Sequence, residues 1–245
     1  CGPERLDHVL VVDRVDDLRL LLERSGGLRA PLPCAEMEIT YLGMSCVRLR
    51  GREAQVIVDP PDGQLPGLGR ATPDLIVRTE GRTDPDKLRP RDGQSQEVAG
   101  AGEFEVRGVT VRGVDMGNGR TIMRVEIDDV RVVSVGRLDR QLTEEEIDAL
   151  GHIDVLVAPV GGGDALAPAA ATKLVNALTP AIVIPVRYRS PASPGSGEYE
   201  PVDTFAKEMG LADDAYQALP KLNLNGAMTG SDDSRGVVLE PRGGG

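Results

Sequence analysis

The chain has 245 residues, enough to bury a large core without disulfide or metal staples, and its 40 % hydrophobic content is that of a globular protein. Its 28 basic residues against 39 acidic ones leave a formal charge of −11, with 2 % aromatics and no Trp. Such a chain lacks the basic stripes and stacking platforms that nucleic acid requires, and it would be repelled by an anionic membrane surface. No apolar run approaches the length of a membrane span, so no span is expected. The two His, His8 and His152, are too few for a multi-His metal centre. Cys1, Cys34 and Cys46 have no paired spacing and read as reduced thiols, which points to the cytoplasm. A first residue of Cys leaves one alternative open, a lipid-anchored mature lipoprotein.

In chain order, residues 1–36 read as an N-terminal extension. Residues 8–12 form a short apolar strand, Asp13 caps a helix to about residue 24, and Pro31 and Pro33 mark a linker. From Met37 the pattern turns to β, with strands at residues 38–42, 46–50, 54–58 and 74–78, and residues 79–95 read as a loop. Strands resume at 103–107, 109–113, 121–128 and 130–135, with Asp128 and Asp129 as the hairpin turn of the last pair. Thr143 caps a helix whose first turn holds Glu144, Glu145 and Glu146. Residues 153–158 and 181–186 are fully apolar strands flanking a helix over 168–178. Pro201 opens a helix to about residue 209, and weak strands follow at 221–225 and 236–240. Strands first, then strand–helix–strand units, predict an α/β chain with a sheet buried on both faces.

Taken singly, the motifs are weak. Gly161-Gly162-Gly163 lies between a strand and a helix but lacks the spacing of a phosphate loop, and reads as a tight turn. No Gly-x-Ser-x-Gly occurs, and Cys46 has no evident His partner. The paired carboxylates on loops read as solvated surface.

Four segments together carry a resemblance. They are the opening strand and turn Met37–Cys46 with its Gly43-Met44-Ser45-Cys46, then Val56-Ile57-Val58-Asp59-Pro60, then residues 153–162 ending Pro159-Val160-Gly161-Gly162, then Ala181–Tyr188. Their order and spacing resemble the metallo-β-lactamase superfamily, in the small hydrolase branch similar to ascorbate-phosphate lactonases. The resemblance covers about residues 37–242, so it implies a domain over 37–245 behind an extension over 1–36. The fold it implies is a four-layer αββα sandwich of two mixed sheets, with a metal site on the loops that end the strands.

The chain departs from the family at the metal ligands. Met44 stands where the family's opening turn has His. Where the family writes Thr-His-x-His-x-Asp-His, this chain has Thr79-Glu80-Gly81-Arg82-Thr83-Asp84-Pro85, and of the four metal-binding side chains there only Asp84 survives. Gly136-Arg137 replaces Gly-Asp, and Pro185-Val186-Arg187-Tyr188 replaces Pro-x-His-Tyr. Arg has no lone pair to give and keeps its charge in proteins. The expectation is therefore a metal-free, cofactor-free cavity in which Arg82, Arg137 and Arg187 pair with Glu80 and Asp84. The function that follows is that of a catalytically inactive scaffold, binding subunit or oligomer component, with a homo-oligomer or a protein as partner. Two alternatives stay open: a residual hydrolase of a phosphate ester or lactone, and a sensor that holds a small anionic metabolite on the Arg cluster.

Overall fold

The computed structural model describes residues 37–61, 73–81, 95–193, 195–211, 218–224 and 234–242, all within the unit of the chain that spans residues 35–245. The expected extension over 1–36, with its strand and helix, lies outside the described residues.

Two sheets carry the fold. The first begins with β1 (Met37–Gly43), β2 (Cys46–Arg50) and β3 (Gln55–Val58) as an antiparallel meander, with Tyr41 opposite Val47 and Val47 opposite Val58. It continues in parallel through β4 (Leu75–Arg78) and β5 (Gln96–Ala99). β5 is a correction to the sequence reading, which has a loop over 79–95 and its next strand only at 103–107. Its Gln96-Glu97-Val98-Ala99 has no alternating apolar pattern, and the open edge of β4 recruits it.

The second sheet starts with β6 (Gly102–Val106), β7 (Val109–Asp115), β8 (Thr121–Ile127) and β9 (Val130–Ser134), all antiparallel. Asp128 and Asp129 have φ of +50° and +63°, the left-handed pair that a tight hairpin between right-twisted strands needs. β10 (Val155–Pro159) and β11 (Ile182–Val186) then run parallel to β9. Every residue of β10 and β11 is buried, as their unbroken apolar runs require. β12 (Leu222–Leu224) joins the first sheet beside β1, and β13 (Arg235–Gly236) joins the second beside β11.

The larger of two apolar clusters among the described residues fills the interior. It takes Met37, Ile39, Tyr41, Leu49, Val56 and Val77 from the first sheet and Val111, Met123, Val132 and Val157 from the second. Three helices are described: α1 (Glu144–Leu150), α2 (Pro168–Leu178) and α3 (Val202–Glu208). Thr143 closes a reciprocal capping box with Glu146 at the start of α1. Helix α2 lies against β10 and α3, burying Ala171, Leu174, Val175 and Leu178 on one face.

This topology sets the position of the site. β3, β4 and β5 are mutually parallel, as are β9, β10 and β11, and loops at the carboxyl ends of parallel strands are where α/β proteins build their crevices. Asp59 follows β3, Glu80 follows β4, Arg137 follows β9, Asp164 follows β10 and Arg187 follows β11.

Candidate functional site: an ion-paired cavity at the strand ends

A cavity of about 810 Å³ opens where these strand ends meet, with Met44, Asp59, Glu80, Arg137, Asp164 and Arg187 among the residues around it. Local backbone features bring the walls together. Gly136 has φ of +57°, and a Cβ there would lie 2.2 Å from Thr79 Oγ1, so only glycine lets the loop after β9 touch the end of β4. Thr79 carbonyl accepts from Thr121 N at 2.7 Å. Ser134 Oγ donates to Asp59 Oδ2 at 3.2 Å, a second bond between the sheets.

Arg187 forms the deep wall. Its side chain is 7 % exposed. Its Nη2 donates to Asp164 Oδ1 at 2.6 Å and Oδ2 at 2.7 Å, and also to Tyr199 Oη. Its Nη1 donates to Ser45 Oγ at 3.3 Å. Tyr199 Oη in turn donates to Asp164 Oδ1 at 3.0 Å. The backbone is tied as well: Arg187 N donates to Met44 carbonyl at 3.0 Å, which also accepts from Tyr41 Oη at 2.9 Å. The turn where the family places His is thus held by its main chain. Arg187 Nε is buried without a hydrogen-bond partner.

The outer wall is Arg137, whose side chain is 43 % exposed. Its Nε and Nη2 donate to the two oxygens of Glu80 at 2.8 and 2.6 Å, a fork-to-fork pair. Its Nη1 lies 3.5 Å from Asp164 Oδ2. One carboxylate therefore stands between two guanidinium groups.

Two cavity carboxyls are pushed in opposite directions. Partial burial disfavours the charged form of Asp164. The hydrogen bond and charge of Arg187, with Tyr199 and Arg137, outweigh that and hold Asp164 below the usual carboxylate range. Burial pushes Asp59 upward, and the charge of Glu80 adds to it. Hydrogen bonds from Thr79 N and Oγ1 and from Ser134 offset this only in part. Burial likewise pushes the Cys46 thiol up to about 12, which leaves it an inert core group.

The structure brings together three of the five side chains singled out from the sequence: Glu80, Arg137 and Arg187. Arg82 and Asp84 lie outside the described residues. Arg137 pairs with Glu80. Arg187 instead takes Asp164, a partner the sequence reading missed. Asp164 follows the triple glycine, and that turn is what delivers it. Gly162 and Gly163 have φ of +73° and +69°. A Cβ on Gly161 would lie 2.1 Å from Arg187 carbonyl, so the close approach of the two loops requires glycine. The signal available was an acidic residue directly after a glycine turn at a strand end. His152 sits before β10, at the opposite end of the parallel strands, and lies 3.1 Å from the buried Asp154.

The described residues at the family's ligand positions do not fit a metal ion. Among the described residues they are Met44, Glu80, Arg137 and Arg187, and no three His, Cys, Asp or Glu side chains converge as a metal-holding group. Glu80 and Asp164 are both engaged by guanidinium. A dication about 4 Å from one fixed guanidinium would be repelled by about 8 kcal/mol at an effective dielectric near 20.

The fold has known counterparts. The sequence profile of the beta-lactamase superfamily domain matches residues 38–187, more than half of the chain. A candidate zinc-dependent hydrolase of the metallo-beta-lactamase superfamily from Thermotoga maritima superposes with a TM-score of 0.66 at 24 % identity, over 83 % of this chain and 98 % of its own. Igni18, a metallo hydrolase from Ignicoccus hospitalis, does so with 0.53 at 18 %, over 77 % and 97 %. A candidate metal-dependent hydrolase from Parabacteroides distasonis gives 0.54 at 14 %, over 84 % and 94 %. No curated protein matches the sequence significantly. At these identities the structures speak for the fold alone. With two mixed sheets in the αββα arrangement and the profile match over its central strands, the chain belongs to the beta-lactamase superfamily.

Proposed function

We propose that this chain is a metal-free, catalytically inactive member of its family, and that it works as a binding protein through the cavity at its strand ends. The observation that carries this reading is the Arg187 guanidinium, buried at a family ligand position and held by Asp164, Tyr199 and Ser45. A cationic side chain with no lone pair cannot ligate a metal there, and its charge opposes one nearby. The cavity has the size of a small-molecule site. The sole large apolar side chain exposed among the described residues is Leu219. The described surface therefore favours a small ligand over a docked protein, because stable protein interfaces are built around apolar anchors.

The test is elemental analysis of the full chain, followed by hydrolysis assays on phosphate-ester and lactone substrates with zinc, manganese or iron added. Metal content well below one equivalent, with no metal-stimulated turnover, is the expected result. A stoichiometric metal ion, or turnover that rises on metal addition, would overturn the reading.

A further inference from the structure

We propose that Asp164 is a built-in occupant of an oxyanion site formed by Arg187, Arg137 and Tyr199, and that a small phosphate or carboxylate ligand binds by displacing it. The inference rests on the metal-free reading above and assigns the ligand class of the same cavity. Three donors converge on the Asp164 carboxylate: Arg187 Nη2 at 2.6 and 2.7 Å, Tyr199 Oη at 3.0 Å and Arg137 Nη1 at 3.5 Å. This is the arrangement by which proteins hold a carboxylate or phosphate group, with guanidinium groups on two sides and a phenol on a third.

The two halves of the contact differ in freedom. Arg187 is 7 % exposed and Asp164 is 46 % exposed. The cationic half is fixed inside the wall by Ser45, Tyr199 and its own backbone. The acidic half stands at the cavity side, with nearly half of its side chain open to solvent. Arg187 also keeps a buried Nε–H without a partner, so its hydrogen-bonding capacity is not exhausted by Asp164. Arg137 and Arg187 against Glu80 and Asp164 balance formally. When Asp164 swings out, the charge beside Arg137 and Arg187 becomes more positive by one unit, with Glu80, Asp59 and the Arg78–Glu97 pair still lining the cavity. The self-occupied state lowers apparent affinity by the fraction of molecules in which the site is closed.

Isothermal titration of the full chain with inorganic phosphate, and separately with acetate, tests this against a sodium chloride control at equal ionic strength. The wild-type chain should bind phosphate weakly. Asp164→Asn, which removes the competing charge, should bind it at least about tenfold more tightly. Adding Arg137→Gln should abolish that gain. The acetate arm separates a site for carboxylates from one that needs a phosphate. A folded Asp164→Asn chain, verified by circular dichroism, with no gain for either anion overturns the proposal. Should that variant not fold, the wild-type chain is titrated with phosphate and the backbone amides of Gly161–Asp164 are followed by NMR. Saturable shifts there support displacement, and their absence overturns it. Elemental analysis of the same sample keeps the two readings apart. A bound metal defeats the metal-free reading itself, whereas a metal-free chain that ignores anions defeats only this inference.

Discussion

Arg187 and Arg137 are the same residue type at two family ligand positions, each following a strand of the parallel half of the second sheet, yet they do different work. Arg187 is buried, held by three side chains and by its own backbone, and it is part of the structure of the wall. Arg137 is nearly half exposed, and its pair with Glu80 faces solvent on both sides. The close distances of the Arg137 fork do not make it the stronger contributor. Exposed pairs are screened and lose side-chain entropy on forming, whereas a buried guanidinium depends on its partners for everything water would have supplied. Burial, more than bond length, separates a guanidinium fixed in the wall from one held only at the surface.

Substitutions at the two walls should separate accordingly. Arg187→Met should have the largest effect, about 2–4 kcal/mol in urea unfolding, because it removes the buried partner of Asp164 and Tyr199 and leaves a poorly filled space. A cost no larger than that of an exposed pair would erase the contrast. Asp164→Asn should cost about 1 kcal/mol at neutral pH, a figure reduced for the half-exposed carboxylate. Its pH dependence sharpens the comparison. The folded pKa of Asp164 is depressed, so its contribution is present above the ordinary value of 3.8 and is lost as pH falls through the lower folded value. Unfolding curves of the wild type and Asp164→Asn should therefore converge in that acid range.

Asp59 should behave in the opposite sense. Its folded pKa is raised from 3.8, so its contribution is full below that value and is lost as pH rises through the folded pKa. Asp59→Asn should remove that loss and gain melting temperature relative to the wild type as pH is raised from about 4 to about 7. A parallel pair of melting curves over this range would show that the buried carboxyl is not strained. Arg137→Gln should be the mildest change, within about 0.5 kcal/mol and shrinking further in high salt. Urea titrations at low and high ionic strength check it.

Much of the fold was legible in the sequence because its signals are local. The unbroken apolar runs of β10 and β11 could only be strands covered on both faces, and the Asp128-Asp129 pair marked its hairpin through the left-handed backbone those residues tolerate. Thr143 with Glu146 announced the start of α1. β5 escaped because Gln96-Glu97-Val98-Ala99 has no pattern of its own and is a strand only by virtue of the β4 edge beside it. For the site, the family positions placed Glu80, Arg137 and Arg187 at strand ends, and the like charge of the two arginines argued against a metal ion.

The chain's order of residues was sufficient to say which strands are buried, where the chain turns, and that guanidinium groups stand at positions where the family has metal ligands. Tertiary structure alone decided which acid meets which arginine. Asp164 lies 23 residues before Arg187, and no periodicity links them. They meet because β10 and β11 run in parallel and because Gly161 allows the following loop to press against Arg187 carbonyl. Backbone propensity and apolar pattern act over a few residues and can be read along a line. The partner of a charge depends on which loop ends are brought within hydrogen-bond reach, and that is settled only when the sheets have packed.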